Sequence, residues 1–183
     1  LLRIEAARID TWDKDIEMAR ISAQKAGGAN VLAFLDMIAI SELGHGLLTP
    51  ATDDGYRVIV GSTPAHPSLM SSYADHPRQL VQLRSGLAST AAGRYQLLAR
   101  YYDTYKRSLN LNDFGPISQD RIAIQQILER RALALVQAGK FAEAVAACSC
   151  IWASLPGNAY GQHQNTLARL QAAYQTAGGT LTA

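Results

Sequence analysis

Glu42 ends the run Val31-Leu32-Ala33-Phe34-Leu35-Asp36-Met37-Ile38-Ala39-Ile40-Ser41, which is apolar nearly all round, and a glycine-containing loop follows it. A carboxylate in that setting is partly desolvated, and desolvation raises a carboxyl's pKa. A raised carboxyl serves as a general acid near neutral pH, the group that glycosidic bond cleavage requires. The ordinary alternative is a solvated residue at a helix end, and spacing alone leaves both readings open.

Two further segments have ligand-holding composition. Ser89-Thr90-Ala91-Ala92-Gly93-Arg94-Tyr95-Gln96 sets small residues and a glycine directly before an aromatic and an amide, so that a backbone turn can approach a ligand closely. Leu155-Pro156-Gly157-Asn158-Ala159-Tyr160-Gly161-Gln162 offers Tyr160 and Gln162 on a glycine-flanked turn, suited to stacking on a sugar and hydrogen bonding to it. The plain alternatives are a helix start with a core tyrosine and an interhelical loop.

Hydrolysis by two carboxylates needs a partner about 5 to 9.5 Å from the first. Asp36 lies six residues back on another part of the same helix, and Asp53, Asp54 and Asp75 fall in loops, so no convincing partner emerges. His45, His66, His76 and His163 lack metal-ligand spacing, which predicts no metal and no cofactor. Tyr101, Tyr102 and Tyr105 at helical spacing read as core or boundary residues before they read as a sugar platform.

The elements that position these residues follow from patterning. Leu1 to Lys25, with Leu2, Ile9, Ile16 and Ala23 spaced by seven, predicts an amphipathic helix, read as a linker helix or a self-association element. Gly27, Gly28 and Asn30 end it; Asn30 is the predicted cap of the apolar helix that carries Glu42. Tyr56 to Gly61 predicts one strand, which the proline-punctuated stretch beyond it extends into a small irregular β lobe. Helices are predicted over Arg94 to Leu109, Ser118 (as N-cap) to Gln137, Phe141 to Trp152 and Tyr160 to Thr176. The fold class is α+β, a helical body with a small β lobe and a cleft between them.

Composition narrows the classes. With 183 residues and 48% hydrophobic, the chain suits one compact domain. A net charge of +2 without clustered Lys and Arg disfavours nucleic acid. The longest charge-free stretch, between Glu143 and Arg169, is interrupted by Pro156 and Gly157 and predicts no membrane span. Cys148 and Cys150, two apart on a helix, point away from each other, which predicts two free thiols and a reducing compartment for synthesis. Leu1 in place of Met suggests a processed or trimmed start, with any export or tethering segment lying upstream.

Several motifs then combine. Phe34-Leu35-Asp36-Met37, Ser41-Glu42, Gly55 to Gly61, Asp75-His76-Pro77-Arg78, Gly93-Arg94-Tyr95-Gln96-Leu97-Leu98 and Ile151 to Gly157 occur in an order and spacing that resembles the lambda-type endolysin family from about Asn30 to Gly179. The chain departs from the family at Leu43, which stands before Gly44 where a glycine directly follows the acid, and in a longer Gly61 to Tyr73 stretch.

The resemblance implies a lysozyme-like catalytic domain over residues 30–183, preceded by residues 1–29 as a helix or linker. It implies a monomeric phage endolysin that cuts peptidoglycan glycan strands between N-acetylmuramic acid and N-acetylglucosamine by lytic transglycosylation. Such a protein accumulates in the host cytoplasm and acts on the wall from the periplasm. By the resemblance Glu42 is the catalytic acid, Tyr56, Tyr95, Gln96, Tyr160 and Gln162 are substrate-binding, and the segments around Tyr56 to Gly61 and Tyr160 are the two lips of the cleft. A hydrolytic muramidase and a non-enzymatic wall-binding phage module are the competing readings.

Overall fold

The computed structural model describes residues 20–83, 86–159, 161 and 163–182. Its axis is helix α2, Ala29–Leu43, which follows the short helix α1, Ala23–Ala26. Val31, Ala33, Phe34, Leu35, Met37, Ile38 and Ala39 are all fully buried, so α2 has no solvent face over most of its length, as its sequence predicts. Burying each large apolar side chain is worth about 1.5–3 kcal/mol, so α2 contributes strongly to cohesion. It packs on α4 (Pro116–Glu129), α5 (Leu133–Gln137) and, most extensively, α7 (Leu167–Thr176). Phe34 meets Phe141 and Tyr174 edge-on, at ring separations of 6.2 and 6.5 Å.

Both ends of α2 differ from expectation. Asn30 lies inside the helix, and Gly28 precedes it as the cap residue. The Asn30 side chain instead donates to Gln137 O (3.2 Å) and accepts from Thr180 N (2.9 Å), tying down the C-terminal residues. The helix runs one residue past Glu42. Gly44, at φ +71, stops it by donating its N–H to Ile40 O.

The predicted helix from Leu1 to Lys25 is not continuous. Residues 20–22 are non-helical, Ser22 is extended and caps α1 by accepting from Lys25 N, and residues 1–19 lie outside the described residues. Ile21 is buried, its N–H reaches Asp120 at 2.8 Å, and Arg20 pairs with Asp36 at 2.9 Å. Residues 20 and 21 therefore pack against the body.

Residues 56–61 form bridges in place of a regular strand. One side pairs at Val58 with Leu69, the other at Ile59 with Ala92, so the segment is the middle of three side by side in an irregular ladder. The regular strands are β1, Val81–Gln82, and β2, Ala88–Ser89, an antiparallel hairpin that leaves Leu80 and Leu87 exposed. The lobe has its own core of Ile59, Met70, Leu97, Tyr102 and Phe114. His76 is buried in it; its Nδ1 accepts from Arg78 N, which leaves Nε2 to donate to Leu97 O, and burial lowers its pKa.

The later helices are shorter than predicted. Helix α3 spans Ala99–Ser108, because Gln96 at φ +50 turns the chain first. The single helix predicted from Ser118 to Gln137 is α4 and α5, split where Arg131 takes φ +55. Pro116 occupies the first turn of α4, so Ser118 is no cap and donates to Asp113 instead, at 2.7 Å. Helix α6, Phe141–Cys148, stops before Trp152, and α7 starts at Leu167 with Thr166 as its cap. Cys148 is buried and Cys150 exposed, and the two thiols are not joined. Among the described residues no helix is long and apolar enough to cross a membrane.

Candidate active site

Glu42 occupies the last turn of α2, half-buried, where the loop after α6 passes over it. The Ser154 hydroxyl donates to Glu42 Oε1 at 2.6 Å. Burial pushes the Glu42 carboxyl above its ordinary pKa, against the opposing pull of hydrogen bonds from the Ser154 hydroxyl and backbone. These are the conditions for a carboxylic acid that keeps its proton toward neutral pH.

Ser154 is itself held. Its oxygen lies 2.7 Å from Ser41 Oγ, and the Asn165 side-chain amide reaches Ser41 Oγ at 3.0 Å. Since the Ser154 hydroxyl has one proton and spends it on Glu42, Ser41 donates to Ser154 and Asn165 donates to Ser41. Asn165 N also bonds Ser154 O at 2.8 Å, which closes the base of the loop between them. Asn158 braces that loop from inside, donating to Ala153 O and Leu155 O. Tyr160 and Gln162 belong to this loop but lie outside the described residues.

The sequence reading missed Ser41, Ser154 and Asn165 as a unit. Ser41 and Ser154 stand in the motifs quoted above, but their role depends on a contact across more than a hundred residues.

Tyr56 and Tyr95 are placed differently from expectation. Both are buried, at 2% and 4% exposure, and both hydroxyls donate to Asp120 Oδ1, at 2.8 and 2.6 Å. A phenol enclosed in the core and committed to a buried carboxylate is not offered to a sugar, so their expected substrate contact is corrected to a supporting role. Within the segment expected as a lip, Tyr56, Val58 and Ile59 are interior, Arg57 and Val60 are half-buried and Gly61 is exposed.

Gln96 remains half-exposed, its amide folded back onto Gly93 O at 2.9 Å. Gly93, at φ +82, has Gln119 pressed against the place where a Cβ would stand, and Gln119 accepts from Arg94 N while donating to Tyr56 O and Phe114 O. The Gly93 to Gln96 turn is thereby fixed to α4. Trp152 completes the brace, its indole N–H donating to Tyr95 O at 3.1 Å.

The aspartates weighed as second carboxylates are engaged elsewhere. Asp36 pairs with Arg20 and Arg94, Asp54 with Arg94, and Asp75 with Arg78 and Lys106, while Asp53 accepts from the Tyr73 hydroxyl. Tyr102 is fully buried, as a core residue; Tyr101 is exposed.

A helical body, a small β lobe and an acid at the end of the buried central helix define a lysozyme-like protein. Comparison with known proteins agrees and narrows the class. The chain belongs to the endolysin family, whose model matches residues 32–181. It is 48% identical to the endolysin of Escherichia phage lambda over 149 residues, covering 81% of this chain and 91% of that one. It is 45% identical to the endolysin of Escherichia phage P2 over 157 residues, covering 82% and 93%. Bacteriophage lambda lysozyme complexed with a chitohexasaccharide superposes with a TM-score of 0.77 at 46% identity, over 85% of this chain and 97% of that one.

Proposed function

We propose that this endolysin-family chain cleaves the β-1,4 bond between N-acetylmuramic acid and N-acetylglucosamine in peptidoglycan, by lytic transglycosylation with Glu42 as its one catalytic carboxyl. The observation that carries the proposal is the pairing of a desolvated Glu42 with Ser154, while Asp36, Asp53, Asp54 and Asp75 are all spent on other partners. The chitohexasaccharide held by the similar lysozyme supports a β-1,4-linked amino-sugar chain as the ligand.

The steps need one carboxyl. Protonated Glu42 gives its proton to the glycosidic oxygen, the bond from that oxygen to C1 breaks, and N-acetylglucosamine leaves with a free 4-hydroxyl. The acetamido group of the muramic acid residue stabilises the positive charge at C1. The C6 hydroxyl of the same residue then attacks C1, and its proton returns to the Glu42 carboxylate. The product is a 1,6-anhydro end, and the acid is regenerated without water.

Tyr160, Gln162 and Gln96 are the proposed substrate contacts, with Tyr56 and Tyr95 holding the turn and lobe behind them. The protein acts as a monomer, accumulates in the host cytoplasm and reaches the wall from the periplasmic side. Clearing of purified sacculi by the protein and by Glu42→Gln tests the assignment. The wild type clears the suspension and the variant binds without clearing; clearing by Glu42→Gln overturns the role of Glu42.

A further inference from the structure

A cavity of about 460 Å³ opens between the start of α3, the end of α4 and the loop after α6. Gln96, Trp152 and Ala153 form its inner wall, and Arg100, Tyr101 and Arg130 its outer one. Ala153 precedes Ser154, so its Cα lies about 3.8 Å from that of the residue gripping Glu42. One wall residue of the cavity is thus joined in the chain to the residue that bonds Glu42.

Its charge is one-sided. Arg100 on α3 and Arg130 just past the end of α4 are both exposed, and no acidic side chain is among the described lining residues. Glu129, next to Arg130, accepts from the Tyr105 hydroxyl at 2.8 Å and the Gln125 amide at 3.0 Å, and its negative charge acts on Arg130 from outside the lining. Arg130 reaches Cys150 Sγ at 3.4 Å, and the Arg100 guanidinium lies 4.8 Å from the centre of the Tyr101 ring, which is 47% exposed. A stacked guanidinium keeps its N–H edge for a planar anion, which is how arginine binds carboxylates.

A neutral β-1,4 amino-sugar chain offers two arginines hydrogen-bond acceptors but no opposite charge. Peptidoglycan has a second component that does, because the short peptides on its muramic acid residues carry free carboxylates. We propose that this cavity takes the carboxylate-bearing stem peptide of the substrate, with Arg100 and Arg130 as its anion contacts and the exposed Tyr101 ring as its apolar wall. The proposal rests on the reading of Glu42 as a peptidoglycan-cleaving acid and extends it from the glycan to the peptide. It makes Arg100 and Arg130 determinants of substrate choice that take no part in bond cleavage.

The test compares turnover of two substrates, glycan strands that retain their stem peptides and strands stripped of them by an amidase. The wild type is expected to cut peptide-bearing strands with the higher kcat/KM. Arg100→Gln and Arg130→Gln are each expected to reduce that preference about two- to fivefold through KM, the range for exposed charge pairs, and to leave stripped strands unaffected. Arg100→Glu, with its charge reversed, is expected to disfavour peptide-bearing strands outright. Absence of preference in the wild type, a preference that survives all three substitutions, or equal loss on both substrates each overturns the peptide assignment. Failure of the wild type to cut either substrate overturns the catalytic reading instead, so the two failures are distinguishable.

Discussion

Ser154 and Glu42, 112 residues apart in the chain, are joined by a 2.6 Å hydrogen bond in which the serine hydroxyl donates to Oε1. The bond sets the aim of the carboxyl and favours its ionised form, in opposition to the burial that favours the protonated one. The acid is therefore poised by two contrary effects, and each can be altered separately.

Ser154→Ala removes the bond and leaves the burial. The Glu42 pKa rises further, so the loss of activity that accompanies its deprotonation moves to higher pH. With the aim of the carboxyl also relaxed, kcat falls about tenfold, the equivalent of one ordinary hydrogen bond. A pH profile of kcat checks both effects, and an unmoved alkaline limb contradicts the first.

The same burial predicts a stability effect. Because folding raises the Glu42 pKa, the contribution of this group to stability is complete below its unfolded pKa and is lost as pH rises through the folded value. Glu42→Gln keeps the shape and removes the charge. It is expected to melt above the wild type at neutral pH and to lose that advantage below about pH 4, near the ordinary glutamate pKa. Thermal melts at both pH values measure it.

Tyr56→Phe and Tyr95→Phe each remove one donor to the buried Asp120 carboxylate. Each is expected to cost about 1–3 kcal/mol in urea unfolding and to leave KM unchanged. Asp120→Ala strands both phenols and the Ile21 N–H and costs more, about 3–5 kcal/mol. A raised KM in the tyrosine variants without loss of stability contradicts their placement in the core.

Asp120 also shows where the sequence stops being readable. Helix α2 is legible because, from Val31 to Ile40, all of it but the half-buried stripe of Leu32, Asp36 and Ile40 is interior, so its composition declares its place. Tyr56 and Tyr95 look identical to ligand-binding tyrosines, since a turn with Gly beside Tyr has the same composition whether the ring faces a sugar or the core. The deciding partner lies 64 residues from one and 25 from the other. Similarly, Gln96 and Arg131 adopt positive φ without being glycines, so the ends of α3 and α4 carried no local mark. The candidacy of Glu42 is legible from its place at the end of α2 and from the family motifs. Ser154 was visible only as one letter of a motif, because hydrogen-bonding across the fold leaves no periodicity.

Gly93→Ala tests the turn before Gln96. The added Cβ overlaps the Gln119 side chain at a backbone conformation that alanine adopts with strain. Displacing Gln119 breaks its bonds to Arg94 N, Tyr56 O and Phe114 O. A loss of about 2–4 kcal/mol in urea unfolding is expected, with activity reduced. A neutral substitution contradicts the close packing of the turn on α4.

The most direct test of single-carboxyl chemistry is mass spectrometry of muropeptides released from purified sacculi in ¹⁸O-labelled water. Intramolecular attack predicts muramic acid ends lighter by one water and free of label, and no soluble product from Glu42→Gln. Reducing ends carrying ¹⁸O contradict the account, because they require a water at C1 and hence a second group to activate it.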